Sequence, residues 1–232
     1  MKNIIKSKRD SLLKKILGLD INIAQESLAY QKISKLSNSL NKVYPYTSSA
    51  LSPVHLNLVL NDIIINTRRN IVELGSGIST IIIAKLLQTN SIKAQFTSIE
   101  ENEDWANYIN NCLIEENLIE YCNVMHIPIK KSENYYWYDL QKINIIKQSI
   151  GLIDCLIIDG PIAHSKGKEN SREKTLYEFY ELLDNTKSVF LDDTNRKGEQ
   201  IAIKNWTKKY NISFINFGNF SIHQSGHHFN IY

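Results

Sequence analysis

From Asn70 to Thr80 the chain reads Asn-Ile-Val-Glu-Leu-Gly-Ser-Gly-Ile-Ser-Thr, and this stretch restricts the fold more than any other. The apolar run at residues 71–74 has strand character. It ends on Gly75-Ser76-Gly77, and an apolar pattern at helical spacing starts at once. Glycine lets the backbone pass close to a ligand or a neighbouring strand. A helix that begins directly after such a turn presents unpaired N–H groups. A strand–turn–helix of this kind opens a parallel α/β sheet.

The chain beyond it alternates in the same way. Residues 95–99, 123–127, 154–159, 188–192 and 212–217 read as strands. Residues 79–87, 104–117, 171–183 and 199–210 read as helices, and Leu176, Phe179, Tyr180 and Leu183 form one apolar stripe. Residues 214–232 hold two β-like runs with no helix between them, which predicts a closing antiparallel hairpin. The expected fold is Rossmann-like α/β. It has a mostly parallel seven-stranded sheet, an antiparallel C-terminal strand, and helices on both faces. Residues 44–232 form the expected domain, with a helix starting at Ser52-Pro53, where serine can cap and proline suits the first turn. Residues 1–43 form an N-terminal helical extension. Its first part is a basic amphipathic stretch carrying Ile4, Ile5, Leu12, Leu13, Ile16 and Leu17, and a second helix covers residues 23–40.

A chain of 232 residues can bury a continuous core without metal or disulfide staples. The net charge of +3 is too small for a phosphate-binding surface, so nucleic acid is not an expected partner. No apolar run is long enough for a membrane span. The N-terminus has lysines throughout and no small-residue cleavage site, so it does not read as a signal peptide. Cys112, Cys122 and Cys155 have neither zinc nor redox spacing and read as reduced cysteines of a cytoplasmic protein. Homo-oligomerisation is left open.

Two acids give the glycine turn a chemical direction. A dinucleotide site would place a third glycine where Thr80 stands, to seat a pyrophosphate. Glu73, inside the strand, would repel a pyrophosphate and suits a cationic ligand. Glu100 ends the next strand, where an acid can accept ribose hydroxyls.

Glu73-Leu74-Gly75-Ser76-Gly77 resembles the first motif of class I S-adenosylmethionine (SAM)-dependent methyltransferases, and Ile99-Glu100 resembles the second. Asp154-Cys155-Leu156-Ile157-Ile158-Asp159-Gly160-Pro161 is similar to the fourth-strand motif of that family. Val189-Phe190-Leu191-Asp192-Asp193, with Arg196 and Glu199 after it, is similar to the fifth. The set looks like a bacterial branch with an "IDGP" loop and an "LDD…R…E" loop, associated with surface polysaccharides and specialised metabolites. The resemblance covers roughly residues 44–232. It implies SAM as cofactor, held by Glu73, Gly75, Ser76, Gly77, Ser79, Glu100, Asn102 and Asp159, with Pro128 and Ile129 flanking the adenine. Asp159 and Asp192, at strand ends, would face the transferring centre. Trp105 would cover the adenine or belong to the core.

The activity implied is methyl transfer, with a small hydroxylated acceptor such as a sugar, a polysaccharide precursor or a metabolite. A hydroxyl acceptor must lose its proton to a base or a metal. Asp159 is the first candidate, followed by Asp192 and then His164. Asp159, Asp192 and Asp193 also look like the magnesium ligands of catechol-type O-methyltransferases, and a hard cation wants such oxygens. The competing expectation is that Arg196 neutralises the acids. The aromatic run at residues 135–138 precedes a helix and would stack on a ring or cover the cofactor. His227-His228 would line the substrate pocket or be exposed. Two other functions stay open: a nicotinamide-dependent oxidoreductase, and a SAM-binding protein without catalysis.

Overall fold

The computed structural model describes residues 24–132, 135–226, 229 and 231; the amphipathic stretch at residues 1–17 and the pair His227-His228 lie outside them. The second expected helix forms over residues 24–37 as α1, which buries Ala29 and Ile33. The segment behind it is held by Glu116. That carboxylate accepts from the N–H of Asn41 at 2.8 and 2.9 Å, the N–H of Lys42 at 3.2 Å and the Tyr44 hydroxyl at 2.6 Å.

Ser52 caps α2 (Pro53–Ile65), accepting from the His55 N–H, with Pro53 in the first turn. β1 (Asn70–Leu74) runs through the glycine turn into α3 (Ile78–Thr89). Next come β2 (Gln95–Glu100), α4 (Glu103–Glu115), β3 (Asn123–His126), β4 (Ile129–Lys131), β5 (Tyr136–Tyr138), α5 (Leu140–Ser149) and β6 (Ile153–Ile158). α6 (Lys174–Phe179), β7 (Leu183–Leu191), α7 (Lys197–Tyr210), β8 (Ile215–Phe217) and β9 (Phe220–Gln224) complete the described chain.

Seven strands form one sheet in the order β3-β2-β1-β6-β7-β9-β8. The first five are mutually parallel, and β9 is antiparallel to both β7 and β8. Successive side chains on a strand face opposite sides of the sheet. Ile71, Cys155, Ile157 and Phe190 therefore join the core under α2, α3 and α4. Val72, Leu74, Leu156, Ile158, Val189 and Leu191 join the opposite core, with Leu176, Phe179 and Trp206. The strand order reverses between β1 and β6, and such a switch point opens a crevice at the carboxyl ends of the strands.

The structure corrects two expectations. Residues 171–183 do not form one helix. α6 is flanked by 3-10 turns at Ser171–Glu173 and Tyr180–Leu182. Trp206 Nε1 donates to the Glu173 carbonyl at 2.9 Å, and Trp137 Nε1 donates to Thr175 Oγ1 at 3.2 Å, so tertiary partners set the local winding. β7 starts at Leu183 instead of residue 188, because Leu183 pairs with Ile153 across an irregular ladder despite the polar sequence between. The aromatic run precedes a helix as expected: Tyr136–Tyr138 form β5, which pairs antiparallel with β4, and Asp139 then caps α5. Cys112, Cys122 and Cys155 are buried and free. No helix among the described residues is long and apolar enough to cross a membrane.

Candidate active site

The glycine turn is built on a buried acid. Glu73 is fully enclosed, and its oxygens accept from Ser79 Oγ at 2.6 Å, Thr80 Oγ1 at 2.6 Å and Ser98 Oγ at 2.7 Å. Burial raises its pKa more than these hydroxyls lower it. Thr80 Oγ1 also accepts from the Gly77 N–H at 2.9 Å. The residue in place of the third glycine thus links the strand acid to the turn. Gly75 sits at φ +92°, and a Cβ there would come within 2.9 Å of the Gly160 nitrogen. A Cβ on Gly77 would meet no protein atom within 4 Å, although Gly77 lines a cavity wall.

Glu100 reaches back to the same turn from the end of β2. Its Oε2 accepts from the Ser76 N–H at 2.9 Å and Ser76 Oγ at 3.1 Å, and its Oε1 from the Asn102 N–H at 2.9 Å. Asn102 caps α4 by accepting from the Trp105 N–H. Trp105 Nε1 donates to the Ser76 carbonyl at 2.8 Å, and its ring stacks on Tyr108.

Asp159 follows β6, and Asp192 and Asp193 follow β7. One ligand oxygen from each lies within 4.8 Å of the others. The cation among them is Arg172, which is 5% exposed. Its Nη2 lies 3.3 Å from Asp159 Oδ1, its Nη1 lies 3.0 Å from Asp193 Oδ2, and its Nε lies 3.9 Å from Glu199 Oε1. It also donates to the carbonyls of Pro161 and Asp192 at 3.2 Å. Arg196, the expected neutralising group, sits further out on Asp193 at 2.7 Å. Burial, together with Asp192, Asp193 and Glu73, pushes the Asp159 carboxyl up to about 8 although Arg172 pulls it down. Asp192 Oδ1 lies 3.4 Å from His55 Nδ1, and neither atom has a hydrogen-bond partner among the described residues. The His55 ring stacks on Phe220 at 4.4 Å.

A single cavity of about 570 Å³ runs from the Ser76–Glu100–Asn102–Trp105 end to Asp159, Asp192, Asp193 and Arg172, and His164 lines it too. Ser79 and Gly77 line a smaller cavity that shares Gly75, Ser76 and Asp159 with the first. Glu73 lies behind the turn, outside both linings, and Pro128 and Ile129 do not reach them either. The sequence reading did not single out several lining residues, Arg172 and Tyr138 among them. Arg172 belongs to no motif; only the need of several close acids for a cation pointed to such a group. Tyr138 was read as part of an aromatic run, and nothing in the run singles it out.

Strand order, glycine turn and carboxyl-end cavity together are the Rossmann-like fold of class I methyltransferases. No family model and no curated protein matches the chain. Among solved structures it is similar to the O-methyltransferase from Bacillus cereus in complex with S-adenosylhomocysteine (SAH). That likeness has TM-score 0.56 and 13% identity and covers 87% of this chain and 91% of that one. It is also similar to the O-methyltransferase TomG from Streptomyces achromogenes, involved in tomaymycin synthesis and solved with SAM, at TM-score 0.59 and 13% identity over 84% and 89%. SAH-bound PaMTH1 of Podospora anserina gives TM-score 0.58 and 11% identity over 88% and 87%. At such identities the likeness establishes the fold.

Proposed function

We propose that this protein is a SAM-dependent methyltransferase acting on a hydroxyl of a small acceptor, such as a sugar, a polysaccharide precursor or a metabolite. One observation carries the reading: a continuous cavity joins a turn-and-carboxylate end, at Ser76 and Glu100, to an acid end, at Asp159. The neighbours' bound SAM and SAH support it. The open space beside Gly77 fits a ligand that approaches the backbone there. Glu100, Ser76, Asn102 and Trp105 would hold the nucleoside end, and Gly75, Gly77 and Ser79 the amino-acid end. Glu73 acts one layer below, by fixing the turn. When bound, SAM supplies a methyl group already activated on a sulfonium.

The protein's own tasks are positioning, exclusion of water and removal of one proton. Asp159 is the assigned base. Its ionised form takes the proton of an acceptor hydroxyl, and its raised pKa makes that proton acceptor strong once ionised. Arg172 fixes the carboxylate and offsets the charge of its neighbours. Asp192 supports the site from the His55 side, and His164 is the second base candidate on the cavity wall. A second reading rests on Asp192 Oδ1, which accepts no hydrogen bond among the described residues: a divalent cation such as magnesium, held by Asp159, Asp192 and Asp193, would supply Lewis-acid activation of the hydroxyl. Arg172, already bonded to two of these acids, favours the metal-free reading.

Calorimetry with SAM, SAH and NAD tests the cofactor. SAM and SAH should bind and NAD should not. Glu100→Gln should weaken SAM about ten- to a hundredfold. Binding of NAD alone would return the chain to the oxidoreductases. SAM binding without methyl transfer to any of a broad panel of hydroxylated acceptors, followed by mass spectrometry, would favour the non-catalytic reading.

A further inference from the structure

We propose that Tyr138 is a ligand-binding residue whose phenol O–H donates a hydrogen bond to the molecule held in the main cavity, whose wall it shares with Glu100 and Asp159. The identity of that molecule as SAM or SAH rests on the methyltransferase reading above. Tyr138 is 1% exposed, it lines the cavity, and its hydroxyl has no hydrogen-bond partner among the described residues. A native site rarely leaves a buried hydroxyl unpaired, because the group has lost water and gained nothing. A cavity wall is where the missing partner can arrive with a ligand.

A Cβ on Gly160 would come within 2.5 Å of the phenol oxygen, so the hydroxyl lies against the start of the loop after β6. The charged groups it feels most are Glu100 and Glu101, then Arg172 and Asp159. The backbone on either side and one ring contact hold the residue in place. Tyr138 pairs with Ile129 across the β4–β5 ladder, it packs edge-on against Trp137 at 5.4 Å, and Asp139 turns the chain directly into α5. Burial and the neighbouring carboxylates hold the phenol well above its usual pKa, so it keeps its proton and acts as a neutral donor. The two-stranded hairpin is a small addition beside the main sheet, and it delivers this hydroxyl to the cavity.

Tyr138→Phe removes the oxygen and keeps the ring. Calorimetric titration of SAM and SAH into both proteins should show binding about five- to tenfold weaker in the variant. Thermal unfolding without ligand should give an unchanged or higher midpoint, because the variant loses an unpaired buried hydroxyl. Equal affinity in the two proteins would overturn the proposal while leaving the methyltransferase reading intact. A lower midpoint in the ligand-free variant would also overturn it, by showing that the hydroxyl serves the fold. Failure of the unaltered protein to bind either compound would remove the methyltransferase reading, and this proposal with it.

Discussion

Arg172 holds Asp159: its Nη2 lies 3.3 Å from Asp159 Oδ1, and both side chains are shut away from most solvent. The arginine comes from the 3-10 turn before α6 and the aspartate from the end of β6, so the pair ties a loop to the mouth of the sheet. Arg172 is also the innermost cation among Asp193, Asp192 and Glu199. Removing it leaves buried carboxylates facing one another. Arg172→Met should cost about 3–5 kcal/mol in urea unfolding at neutral pH. Adding Asp159→Asn should restore part of that loss, and strict additivity of the two changes would deny the coupling.

The Asp159 carboxyl carries a raised pKa, about 8, chiefly through burial. A group whose folded pKa lies above its unfolded value binds its proton more tightly in the folded state. It favours folding below the unfolded pKa, and that contribution is lost as pH rises toward the folded pKa. Asp159→Asn should therefore gain stability relative to the parent as pH rises from 4 to 8. The steepest part of the gain should be about 1.4 kcal/mol per pH unit. Melting temperatures of both proteins across that range measure it, and a pH-independent difference would place the titration elsewhere.

Turnover should follow the same group in the opposite sense. If Asp159 is the base, kcat/KM rises with pH through about 8 as the carboxyl ionises. Asp159→Asn should cut kcat by about a hundredfold or more while leaving SAM affinity near that of the parent. Full turnover in this variant would shift the base to His164.

Gly75 and Gly77 should respond differently to one methyl group. Gly75→Ala meets both a positive φ and the Gly160 backbone, and should lose about 2–4 kcal/mol of stability. Gly77→Ala has open space and should fold normally by circular dichroism. It should nevertheless bind SAM at least about tenfold more weakly, a difference read by calorimetry.

Metal removal separates the two readings of the acid cluster. With Arg172 as the neutralising cation, EDTA leaves turnover unchanged, and this is the expected result. Loss of activity that magnesium or manganese restores would assign Asp159, Asp192 and Asp193 to a metal instead.

The sheet and the residues at its mouth were legible along the chain because they depend on near neighbours. Apolar runs of five or six residues make buried parallel strands, and Gly75 must be glycine to turn at positive φ. Glu73, Glu100, Asp159 and Asp192 then follow from strand ends whose positions the alternation sets. What needed the tertiary structure involves partners far apart in sequence. Glu73 was readable as an acid in the turn motif, but only Ser79, Thr80 and Ser98 closing over it place it behind the cavity wall. Arg172 joins Asp159 and Asp193 from a loop without a pattern, because a buried charge is chosen by the charges that surround it and not by its neighbours in the chain. Tyr138 faces the cavity because β5 pairs with β4, and a three-residue ladder leaves too little periodicity to be seen before the chain has folded.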